Sequence, residues 1–207
     1  MKNYSSASTS GAGYHPDIAT DSRHLAMLLL VGGFACGIPA QPCPPGTVAD
    51  DDRASALSAT VRRISASHGL AIENTMICFG GGARGTVRPD GLMVLAHSLE
   101  SDAAAARLTH LGMHVADRLH SFPVAGVPCG WQVEIALSAE ARAIVAEIEA
   151  CDELRCDTAP YSFAAAVLAV ASTERAGHVL ARLKSEPPAD SLDILVRDYR
   201  TRCERGE

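Results

Sequence analysis

Two histidines four residues apart are the strongest chemical signal in this 207-residue chain. They stand in the stretch Thr109-His110-Leu-Gly-Met-His114-Val-Ala-Asp117-Arg-Leu-His120. If that stretch is helical, His110 and His114 share a face and lie about 6 Å apart along the axis. Two imidazoles placed in this way can reach a single ion. On a helical wheel, His110, His114 and Asp117 fall opposite Leu108, Leu111 and Leu119. The leucines then point into a core and the histidines face a cleft or solvent. Asp117 is a poor third ligand on this geometry, because it sits about 10 Å along a straight helix from His110.

The flanking sequence supplies the elements that would hold this helix. Met76-Ile-Cys-Phe79 and Leu92-Met-Val-Leu95 are short apolar runs, and Pro89-Asp-Gly91 precedes the second. Pro presets φ and Gly accepts positive φ, so a small antiparallel hairpin with its turn at 89–91 is predicted. The Gly-rich stretch 80–85 lacks the Gly-Lys-Ser/Thr ending of a phosphate loop and reads as a loop or bulge. Ser101 and Asp102 can cap a helix from Ala103 to about Leu119, and the cluster Pro123, Gly126, Pro128 and Gly130 ends it. A long helix then runs from Trp131 or Ser138 to Leu154, with Val133, Leu137, Ile144, Ile148 and Cys151 on one face. Trp131 reads as a packing anchor. Before the hairpin, Asp50 to Asp52 put acids at the start of a helix over 54–68, carrying Leu57, Val61 and Ile64, which Gly69 can stop. After the long helix, 162–183 reads as one helix or two, with Thr173 a second cap. A final helix over 190–203 carries Leu192, Leu195, Val196 and Tyr199. The fold class is therefore α+β, mainly helical with about five or six helices, and a small antiparallel hairpin beside the His110/His114 helix.

In residues 92–154 the chain resembles the zincin metallopeptidases, whose site helix reads His-Glu-x-x-His. A short strand at Leu92-Met-Val-Leu95 precedes the helix, as the edge strand does in that family. Leu95-Ala-His-Ser-Leu99 and Ala106-Arg-Leu-Thr-His110 are similar to the family's phrasing. One zincin branch takes its third ligand from a glutamate on the next helix, within a Glu-Ala-x-Ala phrase, and Glu140-Ala-Arg-Ala143 matches it. Another branch uses a histidine six residues after the second, where His120 stands. That branch carries glycine at the Asp117 position to turn the chain back. The resemblance thus implies a zinc site of His110, His114 and Glu140, with His120 as the other third ligand; Asp117 remains the poorer choice on helix geometry. One position departs from the family: the catalytic glutamate is replaced by Leu111. Leucine cannot take a proton from a metal-bound water, so no catalytic residue is assigned. His97 could line the same cleft or cap a turn, and His68 and His178 read as helix-surface residues.

Composition bounds the rest. With 47% hydrophobic residues the chain can bury a core, and only 4% aromatics beside abundant alanine favour helix over sheet. The net charge of −6, without a basic stripe, excludes nucleic acid as an expected partner. Residues 1–47 read as a disordered, Ser/Gly/Ala-rich start, a signal-like segment and a Pro-rich linker; 48–207 read as a single zincin-like helical domain. The run Leu25-Ala-Met-Leu-Leu-Leu-Val-Gly-Gly-Phe-Ala35 is too short for a transmembrane helix, which needs about 20 residues, but suits the core of a secretory signal. Asp17 and Asp21 ahead of it are atypical of such a leader. Cys36 stands where a lipid anchor could attach, although Phe34 makes a poor lipobox. Of seven cysteines, six remain beyond Cys36, an even number that suits a disulfide framework in an exported chain. The leading expectation is a secreted, periplasmic or cell-envelope zincin-like domain that binds a metal, a peptide or a protein partner without cleaving it. A zinc-dependent hydrolase with its base from Glu140 or Asp117 is the alternative, and a metal-free, disulfide-stapled interaction domain is the third.

Overall fold

The Pro89-Asp90-Gly91 turn joins two paired strands, β3 (Gly85–Val87) and β4 (Met93–Ala96), which run antiparallel with Thr86 opposite Val94. Gly91 adopts φ 84°, a region that costs glycine little, and the Asp90 carboxylate accepts the Leu92 N–H at 3.1 Å. The computed structural model describes residues 43–206 apart from 68–69, 71, 73–74, 83–84, 158 and 186–191. The start expected to be disordered, the apolar run at 25–35 and Cys36 lie outside the described residues, as do His68 and Gly69.

The sheet is wider than the predicted hairpin. Strand β2 (Ile77–Gly80) runs parallel to β4, and β1 (Thr47–Ala49) runs antiparallel to β2, giving the order β1-β2-β4-β3. The two central strands are almost wholly buried, which explains why they read as continuous apolar runs rather than alternating ones. Strand β1 runs across the expected division at 47/48. Cys43 is already joined to Cys78 of β2, and Thr47 donates through both its amide and its hydroxyl to the Pro44 carbonyl. The end of the supposed linker is part of the sheet.

Among the described residues the α-helices are α1 (Asp51–Val61), α2 (Ser101–Ala116), α3 (Cys129–Leu154), α4 (Ala164–Leu168), α5 (Arg175–Leu183) and α6 (Leu192–Arg205). Asp50 caps α1 by accepting the Arg53 N–H at 3.0 Å. That helix stops at Val61, well short of 68, and a single 3-10 turn at Ser65–Ser67 completes the segment. Glu100, not Ser101 or Asp102, occupies the cap of α2, without a side-chain bond, and Asp102 lies in the first turn where its charge suits the dipole. Helix α3 begins at Cys129, and Trp131 on its first turn is 61% exposed, so it anchors nothing within the described fold.

Helix α3 belongs to two cores. Ala150 and Cys151 join Leu57, Phe79, Met93, Leu108 and Leu111 against the sheet. Leu137, Ile144 and Ile148 join Phe122, Phe163, Val179 and Val196 on its other side. Alanines at 136, 139, 141 and 143, all at most 2% exposed, let neighbouring elements approach α3 closely. No helix among the described residues is long and apolar enough to cross a membrane.

All six cysteines beyond Cys36 are paired, as Cys43–Cys78, Cys129–Cys203 and Cys151–Cys156. The second ties the start of α3 to the end of α6 over a separation of 74 residues, and the third closes a separation of 5. Chain-entropy arguments favour the longer loop, at about 4 kcal/mol against about 2 kcal/mol. Urea unfolding should therefore show the double variant Cys129→Ser/Cys203→Ser losing more stability than Cys151→Ser/Cys156→Ser. Denatured, unreduced chain should titrate for no more thiol than Cys36 provides.

Candidate metal centre

The histidine face of α2 is separate from Leu108, but Leu111 lines the same cavity as His114 and Leu119 lies beyond the helix; the expected exposure of the histidines does not hold either. The leucine side of α2 packs on the sheet, and the histidine side is covered by α3. His110 is therefore 1% exposed, a buried residue rather than one facing solvent. His114, one turn nearer the end of the helix, keeps 12% of its side chain exposed at the edge of a cavity. Gly112 between them faces away from the site. A Cβ there would meet Ile72 Cδ1 at 3.2 Å and Leu70 Cδ1 at 3.3 Å, so a side chain would press on the segment packed behind this turn.

Glu140 of α3 completes the group. Its Oε1 lies 3.4 Å from His110 Nε2, and its Oε2 lies 3.3 Å from His114 Nε2. The two Nε2 atoms are 2.7 Å apart. One ligand atom from each residue thus falls within 4.8 Å of the others, and the group could hold a metal ion. Two further observations fit a cation. Glu140 is 3% exposed, and among the described residues the two imidazoles are the groups within ion-pair distance of it. Burying that carboxylate carries a desolvation cost that a bound cation would offset. His114 Nδ1 is buried without a partner, so that ring is held through Nε2, the atom turned toward Glu140. Two imidazoles and one carboxylate are a donor set that zinc accepts while keeping a position open.

The electrostatics favour ligating forms. Burial pushes His114 down from 6.5 to about 3, against the pull of Glu140. Burial pushes Glu140 up, but His114, His110 and Arg107 outweigh it and hold the carboxyl below its usual range. At neutral pH His114 is neutral and Glu140 ionised. The Tyr199 phenol on α6 donates to Glu140 Oε2 at 2.9 Å; burial and that carboxylate both raise its pKa, so it stays a donor.

A second carboxylate lies behind the first. Glu147 Oε2 is 2.9 Å from His110 Nδ1, accepts from the Tyr161 hydroxyl at 2.9 Å, and meets Arg107 Nη1 at 3.1 Å. The His110 contact is short but its N–H is not well aligned with the oxygen. Burial disfavours the Arg107 charge, yet Glu147, Tyr161 and Glu140 together raise its pKa. Arg107 also donates to the Gly85 carbonyl at 3.2 Å, linking α2 to β3. Sequence reasoning missed Arg107, Glu147, Tyr161 and Tyr199. The signal was a pair of acids seven apart in a helix otherwise apolar on that side, since two turns return to the same face.

The other predicted ligands fall elsewhere. Asp117 ends α2 and pairs with Arg142 at 2.8 Å on the surface. Arg118 then takes φ 55°, which turns the chain one residue after the position where the resembled family has glycine. The helix therefore does not continue to Leu119. His120 swings back to line the cavity beside His114, but its ring is not among the three that converge. His97 is exposed and serves through its backbone carbonyl, which accepts from Arg53 at 3.1 Å. The cavity, about 250 Å³, is bounded by β3, Leu111, His114, Glu140, Tyr199 and Arg202.

The His114 shift has a consequence for stability. The unfolded imidazole binds its proton near 6.5 and the folded one near 3, so between these values the unfolded chain holds more protons. Stability must then fall as pH falls through that window, and Glu140 adds to the fall below 4.5, its unfolded value. Urea melts of metal-free protein should show a decline from pH 6.5 to 4.5 that His114→Gln flattens; an equal slope in the variant would contradict the burial argument. Comparisons with protein-family models, curated proteins and solved structures find no match to this chain, so the reading of the site rests on its geometry.

Proposed function

We propose that this chain is an exported, zincin-like zinc-binding domain without peptidase activity. The convergence of His110, His114 and Glu140 carries the metal part of that reading. Leu111, in the position of the family's catalytic glutamate, carries the other part. Three disulfides fit an oxidising compartment, which agrees with a signal-like segment at 25–35 and with a secreted or cell-envelope location.

Bound zinc would supply Lewis acidity toward an oxygen of whatever ligand enters the cavity. His110, His114 and Glu140 would hold it, and Tyr199 orients Glu140 by its bond to Oε2. Leu111 is 1% exposed and offers the cavity an apolar wall instead of a proton acceptor. The two bases considered for an active hydrolase are both committed elsewhere: Glu140 to the imidazoles, Asp117 to Arg142. The site then binds a metal and a peptide or partner group without a base to activate water. A metal-free interaction domain would share the disulfides and lack the ion, so metal content separates the two.

Elemental analysis of purified protein should find about one zinc per chain, lost in His114→Ala. The zinc-loaded wild type should leave peptide substrates intact, since general acid–base catalysis contributes about 10²–10⁴-fold. Leu111→Glu rebuilds His-Glu-x-x-His and places its carboxylate at the cavity wall, so gained activity would support the reading strongly. Zinc-dependent cleavage by the wild type that His110→Ala abolishes would overturn it.

A further inference from the structure

We infer that Glu147 is a positioning residue that aims His110 at the metal, an inference that rests on the metal-binding reading above. The side chain of Glu147 is 2% exposed and lies on α3 between Ile144 and Ile148, where an apolar residue would pack without desolvating a charge. Its contacts account for its presence. A single oxygen, Oε2, faces His110 Nδ1 at 2.9 Å, the Tyr161 hydroxyl at 2.9 Å and Arg107 Nη1 at 3.1 Å. A carboxylate oxygen 2.9 Å from Nδ1 favours the tautomer with its hydrogen on that nitrogen, although the N–H is not aligned for a full hydrogen bond. The Nε2 lone pair is then the one turned toward Glu140 and His114. Arg107 offsets the buried charge, and Tyr161 fixes the carboxylate from the far side. Glu140 and Glu147 thus divide the labour along one helix, one as ligand and one as the partner of a ligand.

The alternative is that Glu147 serves Arg107 alone, as a buried ion pair. The two roles separate on a signal from His110. In protein labelled with ¹⁵N-histidine, His110 Nδ1 should carry a slowly exchanging proton in both the metal-free and zinc-loaded forms. An unprotonated Nδ1 in the wild type would overturn the proposal without any variant. Glu147→Gln keeps the size and an acceptor oxygen but removes the charge. It should move the His110 Nδ1–H resonance, leave the His114 ring signals in place, and weaken zinc binding by about 10–100-fold. Unchanged zinc affinity in Glu147→Gln would end the role of Glu147 while sparing the metal site. Weaker zinc with the His110 signal unmoved would assign Glu147 to Arg107 and overturn the proposal too. A wild type that takes up no zinc ends the metal reading itself, whatever the His110 signal shows.

Discussion

Two carboxylates buried on one side of α3 set the terms for this structure. Glu140 and Glu147 are 3% and 1% exposed, and an ionised group that deep costs several kcal/mol unless partners meet it. The chain meets it from three other segments: two imidazoles and a guanidinium from α2, a phenol from α6, and a phenol from the segment after α3. The apolar core would form without these groups. Their arrangement fixes which faces of α2 and α3 meet, because a shift of one residue along either helix would leave a charge without its partner.

The covalent links stand at the places this network needs held. Cys129–Cys203 ties both ends of the α3–α6 pair, and Tyr199 lies one turn before Cys203, so the donor to Glu140 is fastened close to its position. Cys151–Cys156 closes the end of α3, just ahead of Tyr161, the donor to Glu147. Cys43–Cys78 pins the first strand to the sheet on which α2 rests. A domain of few aromatics and many small side chains thereby gains rigidity around polar contacts that its alanine-rich packing would hold less firmly.

Leu111 shows where core and chemistry compete. It is part of the cluster against the sheet and also part of the cavity wall. A carboxylate there would have to be desolvated on the sheet side to be useful on the cavity side. The leucine resolves this in favour of packing.

How much of this was legible in the sequence follows the range of each interaction. Helix periodicity, the acids at the start of α1 and the turn at 89–91 are local, and they gave the α+β class, the hairpin and the histidine face of α2. The even count of six cysteines after Cys36 anticipated that they would pair, though not which with which. Glu140 was reached through a family resemblance, since its local signal, a second acid seven residues on along an apolar side of α3, does not say which partners it meets. Tertiary structure decided the rest. Parallel pairing of β2 with β4 joins strands that are not neighbours in the hairpin, so no turn signal announces it. The burial of His110 depended on α3 covering a face that a lone helix leaves open. Glu147, Arg107, Tyr161 and Tyr199 acquired their roles only when elements 14 to 59 residues apart were brought together, because a buried charge selects its partners in space and not along the chain.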